Sequence, residues 1–232
     1  MHPAAGDIVH PLLAKVDEVA GNGYAAILYG SAVRGGFRPG QSDLNLLLIF
    51  DALDADLIRR LGPALEAHER AGHAPPLLFS RAEWRRAADA FPVEITDMRQ
   101  AHRVLRGSNP LDELTVAPAD LRRALEREFR GKLLRLRQAW AVFGRDERSL
   151  GGVAATSLGT VRLLARSVLA LRGRDVPAPG EVLAAAAEAL GIDGTGWTDT
   201  AARSAAGGPP PCPPDPVARS EANPARPTPR SE

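Results

Sequence analysis

The sequence predicts an α/β chain of the α+β kind: a mixed-sheet core, then an all-helical C-terminal bundle, then a disordered tail. Three observations carry that expectation. Two strongly apolar runs, from Ala25 to Tyr29 and from Leu46 to Phe50, are short and strand-like, and helical periodicity alternates with such runs through the first hundred residues. From Pro118 onward no strand-like run follows, and apolar residues recur every three or four positions instead. Past Gly207 the chain is proline with Arg, Ser and Glu, a composition that cannot bury enough apolar surface to offset the entropy of ordering.

Taken in order, Ile8, Leu12, Leu13, Val16 and Val19 keep helical spacing between Asp7 and Ala20, and Gly21-Asn22-Gly23 supplies the turn that ends this helix. The run to Tyr29 is the first strand. Gly30-Ser31 breaks it into a turn, where small residues let backbone N–H groups approach an anion and Ser31 adds its hydroxyl. At Ser42-Asp43-Leu44-Asn45 the second strand begins, and its period of two puts Asp43 and Asn45 on one face with Leu44 and Leu46 on the other. Asp54 or Asp56 can cap a helix to about Glu69, which Gly62-Pro63 would kink or restart. Pro75-Pro76 introduces a strand at Leu77 to Phe79. Ser80 and Glu83 fit a capping box for a helix to about Ala90, and Phe91 to Met98 reads as a further strand, with Val93 and Ile95 toward the core and Glu94 and Thr96 on the opposite face.

Asp120 can open a long helix whose apolar residues Leu121, Leu125, Phe129, Leu133, Leu136, Trp140 and Phe143 form one stripe. A single stripe must pack on something, and helices from about Leu150 to Leu171 and from Glu181 to Leu190 supply partners for a small bundle. The expected divisions are 7–115 for the mixed core, 118–192 for the bundle and 204–232 for the tail.

The Gly30-Ser31 turn, the short spacer to Asp43 and Asn45, and the two flanking strands resemble the signature of the DNA polymerase beta-like nucleotidyltransferases, with the small bacterial aminoglycoside adenylyltransferases most alike. That signature is Gly-Ser followed by Asp-x-Asp on a strand, and here it reads Asp-x-Asn. The resemblance implies that Gly30, Ser31 and Ser42 hold a nucleoside triphosphate, ATP by expectation, while Asp43 and Asn45 bind Mg²⁺ bridging its phosphates. It also implies a third carboxylate that ligates metal or takes the acceptor proton, for which Glu94 is the candidate and Asp97 the competitor. Arg34 and Lys132 are candidates to neutralise phosphate oxygens. The expected reaction is Mg²⁺-dependent transfer of a nucleoside monophosphate to a small-molecule hydroxyl. The alternative is an inactive protein of the same fold that binds nucleotide or a protein partner, because Asn45 keeps a ligating oxygen but no charge.

Composition narrows the remaining classes. A formal net charge of +1 argues against an extended nucleic-acid surface, although 29 basic residues remain available for a local patch, and no run approaches the uninterrupted apolar length of a membrane span, so no membrane is expected as partner. One cysteine, Cys212, leaves no internal disulfide, and with no visible secretory signal the expected location is the cytoplasm. His10, His68, His73 and His102 show no zinc-ligand spacing.

Overall fold

In the computed structural model, residues 3–35, 37 and 44–206 are described. The first helix, α1 (Pro3–Ala20), leads into β1 (Tyr24–Tyr29), followed by the single turn α2 (Ser31–Arg34) and by β2 (Asn45–Phe50). Helix α3 (Ala55–Arg70) connects to β3 (Leu77–Ser80), the single turn α4 (Arg81–Trp84) and α5 (Pro92–Gln100), and β4 (His102–Arg106) closes the sheet. The four strands lie in the order β3-β2-β1-β4; β1 pairs antiparallel with both β2 and β4, whereas β2 and β3 run parallel. This is the mixed sheet with helices that the sequence predicted.

Both faces of the sheet are covered, which explains why β1 and β2 read as unbroken apolar runs. Ala26, Leu28, Leu46 and Leu48 pack against α1 and α3 through Leu12, Leu13, Val16 and Leu61. On the other face, Ile27, Leu47 and Ile49 meet Ile95 and Met98 of α5 and the indole of Trp84, whose Nε1–H donates to the Pro110 carbonyl at 2.8 Å. Asp54 caps α3 by accepting from the Leu57 N–H, and α3 continues through Pro63 as one helix rather than restarting there. The Ser80/Glu83 capping box is present, although the helix it opens lasts one turn and does not reach Ala90.

The expected strand from Phe91 to Met98 is instead the helix α5, with Pro92 in its first turn. The alternation of buried and open residues arises because α5 is buried on two sides. Ile95 and Met98 face the sheet, while Val93 packs with Leu121, Leu125, Leu164 and Val168 of the following helices. A helix covered on two sides has no single apolar stripe, so its period is hidden. The fourth strand is β4, whose His-Arg-Val-Leu-Arg sequence has little apolar signal because it lies at the sheet's edge. Arg106 at its end donates to both Asp17 oxygens, and Tyr24 donates to the same carboxylate at 2.6 Å. The Arg106 guanidinium leads in holding the Asp17 carboxyl below its usual range.

Four helices follow: α6 (Pro118–Phe143), α7 (Glu147–Leu171), α8 (Val182–Leu190) and α9 (Thr195–Ala206), the last one unforeseen. Central in the bundle, α7 packs against α5, α6, α8 and α9. Arg148–Leu171 is also long and apolar enough to cross a membrane by length and composition, with 44% of that window buried. The expected tail lies, from residue 207 on, outside the described residues.

Candidate functional site

The pleat of β1 and β2 decides what meets at the candidate site. Tyr29 and Asn45 are cross-strand partners at one end of the central pair, and both share the parity of Ile27, Leu47 and Ile49, the residues facing α5. Beyond Tyr29 the chain turns at Gly30, which has φ 80° and ψ −144°, a conformation that favours glycine. Its N–H donates to the Ala101 carbonyl, and its own carbonyl accepts from the N–H groups of Val33 and Arg34. A Cβ at Gly30 would lie 2.9 Å from Asn45 Nδ2, so the missing side chain is what lets the Asn45 amide lie against the turn. Ser31 then opens α2 with its side chain half-buried. Gly30, Ser31 and Asn45 are thus brought together. Ser42 and Asp43 lie outside the described residues.

Glu94 sits on α5 rather than on a strand, in the helix's first turn, and its side chain is exposed. It still acts on the site, because α5 covers the sheet face from which Tyr29 and Asn45 project. Burial first, then the negative charges of Glu94 and Asp97, push the Tyr29 hydroxyl up to about 12. No ion pair engages Glu94 among the described residues, which leaves a free carboxylate near the Gly30 turn.

Asp97, its competitor, is already engaged. Buried one turn further along α5, its Oδ1 accepts from Arg34 Nη2 at 3.0 Å and from Arg166 Nε of α7 at 2.6 Å. Arg34 also donates to the Asp97 backbone carbonyl at 3.3 Å. Burial pulls the Arg34 guanidinium below its usual range, with Asp97 opposing that pull and Arg166 adding to it. Arg34, singled out for phosphate, is therefore a structural partner of Asp97 in this state. Lys132 lies on α6 beyond the last residues that helix buries, and no described contact brings it to Gly30 or Asn45.

Sequence reasoning missed the α7 side of the site. Arg162 and Arg166 are one turn apart on one face of α7, and Arg166 reaches Asp97 and Gln100 of α5. Gln100 Nε2 donates to the Arg166 carbonyl at 3.5 Å, while Gln100 Oε1 and Arg162 Nε are buried with no partner among the described residues. The signal in the sequence was two arginines four apart in the second half of α7, where the other residues from Val161 to Leu171 are apolar except Ser167.

Among the described residues no group of three His, Cys, Asp or Glu side chains could hold a metal ion. The donors that remain, the Asn45 amide oxygen and the Glu94 carboxylate, with Asp43 two residues before Asn45, are hard oxygens. That set suits Mg²⁺ shared with phosphate oxygens better than a cation held by protein alone.

No family model and no curated protein matches the chain. Five solved chains do match. One is a spectinomycin adenyltransferase, AAD(9), from Enterococcus faecialis, solved with ATP and spectinomycin; it is 14% identical, with 85% of this chain and 96% of that chain covered at a TM-score of 0.41. A likeness of that size leaves the chemistry of the site to be read from this chain's own residues.

Proposed function

We propose that this protein binds a nucleoside triphosphate with Mg²⁺ at the Gly30 turn and transfers its nucleoside monophosphate, AMP from ATP, to a hydroxyl of a small molecule. The observation that carries the reading is the convergence of Gly30, Ser31 and Asn45 at one end of the central strand pair, beneath a helix that supplies the free carboxylate of Glu94. In this reading the Ser31 hydroxyl and the N–H groups at the turn receive phosphate oxygens, and Asp43 and Asn45 orient the triphosphate through the cation. Glu94, open to solvent, takes the proton of the attacking hydroxyl. Mg²⁺, when bound, supplies neutralisation of phosphate charge. Arg162, whose Nε is buried with no partner among the described residues, adds positive charge one turn from Arg166 on α7.

Asn45 favours a second reading, in which nucleotide binds without turnover. Its amide provides an oxygen but not the charge that a second aspartate would place beside Asp43. Two measurements separate the readings. Millimolar ATP with Mg²⁺ raises the melting temperature of wild type under both readings and not that of Asp43→Ala, since a ligand at a hundredfold excess over Kd stabilises by about 2.7 kcal/mol. Pyrophosphate release from ATP over a panel of hydroxylated acceptors, aminoglycosides and spectinomycin included, is expected from wild type, to rise in Asn45→Asp and to vanish in Asp43→Ala. A thermal shift with no release from wild type or Asn45→Asp moves the conclusion to binding alone, and no shift with any nucleoside triphosphate refutes both.

A further inference from the structure

Helix α6 carries one apolar stripe and buries only its first two turns or so, at Leu121, Ala124 and Leu125. Leu121 and Leu125 are inside, packed with Val93 and Leu164, whereas Phe129, Leu133 and Trp140 on the same stripe are 36%, 47% and 66% exposed. Beside them the α8–α9 turn presents Leu190 and Ile192, also exposed. Phe129 and Leu190 line a groove of about 880 Å³ that also takes in Arg122, Leu125 and Val168, so the patch runs continuously from α6 to α8.

We propose that this face is the contact between two copies of the chain, formed by α6 packing antiparallel on α6 of the second copy. Area supports it first. At their exposures these five side chains present on the order of 500 Å² of apolar-residue surface, at the upper end of what a monomer leaves open, and the flanking arginine stems bring the face toward the roughly 800 Å² per partner of a standard interface.

Charge then sets the direction. Glu126 and Arg137 lie on the same flank of the stripe, on either side of its midpoint between Phe129 and Leu133. A two-fold axis at that midpoint sets Glu126 of each copy, which also accepts from Arg122 of its own chain at 3.1 Å, opposite Arg137 of the other, whereas a parallel pairing would set this flank against the opposite flank of the partner and the two would not meet. The same register carries Trp140 of one copy over the groove beside Arg122 and Leu125 of the other. An aromatic anchor meets an apolar groove wide enough to admit it, rimmed by the Arg122 guanidinium that Glu126 holds at 3.1 Å.

Nothing in the chain's own unassigned length fits the face as well. Between residues 207 and 232 the sequence holds Val217 as its only large aliphatic or aromatic residue. The other candidate occupant is an anionic lipid surface, because residues 129–145 carry Arg130, Lys132, Arg135, Arg137 and Arg145 and no acid. The Glu126–Arg137 complement and the groove favour the second copy.

Sedimentation velocity on the full-length chain, from about 1 to 100 μM at 0.15 M salt, tests this. The expected result is a concentration-dependent monomer–dimer equilibrium that Leu133→Glu and Trp140→Ser each weaken at least tenfold. Both positions are exposed, so circular dichroism of the two variants, and their melting temperature at concentrations where wild type is monomeric, stay at wild-type values. Glu126→Arg weakens the dimer, and adding Arg137→Glu in the same chain restores it. A monomer at every concentration overturns the proposal, as does a dimer indifferent to Trp140→Ser. So does a chain that stays monomeric yet binds phosphatidylserine vesicles through Leu133 and Trp140, which would assign the face to lipid.

Discussion

Replacing Asp97 by asparagine keeps its volume and removes the one charge that holds two arginines between sheet and bundle. The three side chains are nearly closed to solvent, at 9% exposure for Asp97, 14% for Arg34 and 13% for Arg166. At the observed separations of 3.0 and 2.6 Å, each pair contributes about 5–6 kcal/mol of Coulomb attraction at an effective dielectric near 20, most of it offset by desolvation. The variant leaves the desolvation and removes the attraction, so Asp97→Asn is expected to cost about 3 kcal/mol, or about 6–12 °C in melting temperature for a chain of this size. Salt should change this loss little between 0.1 and 0.5 M, since the pairs are buried. Arg166 belongs to the central bundle helix and Arg34 to the turn beside the site, so the bond lost is also the tie between the two layers. Calorimetry is expected to show a single transition in wild type and a broadened or divided one in Asp97→Asn. A cost below about 1 kcal/mol, or one that fades at high salt, would show that the arginines find water instead and that the seam is not held electrostatically.

Stability should fall with pH through His68. Burial, and secondarily the positive charge of His73, hold its imidazole below the usual range, so the unfolded chain takes the proton first as pH drops through about 6.5 and folding loses free energy from there downward. The drop in melting temperature between pH 7.5 and 5.5 is expected to be smaller in His68→Leu than in wild type, and equal drops would refute the assignment. Gly107→Ala should cost at least about 2 kcal/mol in urea unfolding. Its φ is +65°, and a Cβ there would lie 2.8 Å from the Tyr24 carbonyl oxygen. A milder loss would mean that β1 and β4 can part at that point. Trp84→Phe strands the Pro110 carbonyl inside the second core and is expected to cost about 1–3 kcal/mol, measured the same way.

How much of this was legible in the sequence depended on how each residue is buried. The strands β1 and β2 were plain because a central strand covered on both faces is apolar throughout, and Asp54, Ser80 and Glu83 were plain because a cap is a local bond between residues three apart. Helix α5 was misread because its partners on two sides belong to different parts of the chain, and β4 was missed because an edge strand carries its register in backbone bonds rather than apolar side chains. At the site, Gly30, Ser31 and Asn45 could be placed from spacing alone, since a turn and a pleat fix them within one hairpin. Glu94 was picked out of the sequence, but the reason it lies near Tyr29 is a helix laid on the sheet.

Sequence by itself determined the strands β1 and β2, the helices α1 and α3 beside them, the turn at Gly30 and the parity that sets Asn45 on the face of Leu47 and Ile49, because each follows from φ/ψ limits and periodicity within a few residues. Only the tertiary structure decided that Asp97 is spent on Arg34 and Arg166, that Arg162 Nε is buried with no partner among the described residues, and that the stripe of α6 outruns its cover. Those outcomes depend on which groups separated by 60 residues or more share a low-dielectric seam, and on where a neighbouring helix stops. Neither is written in any local pattern.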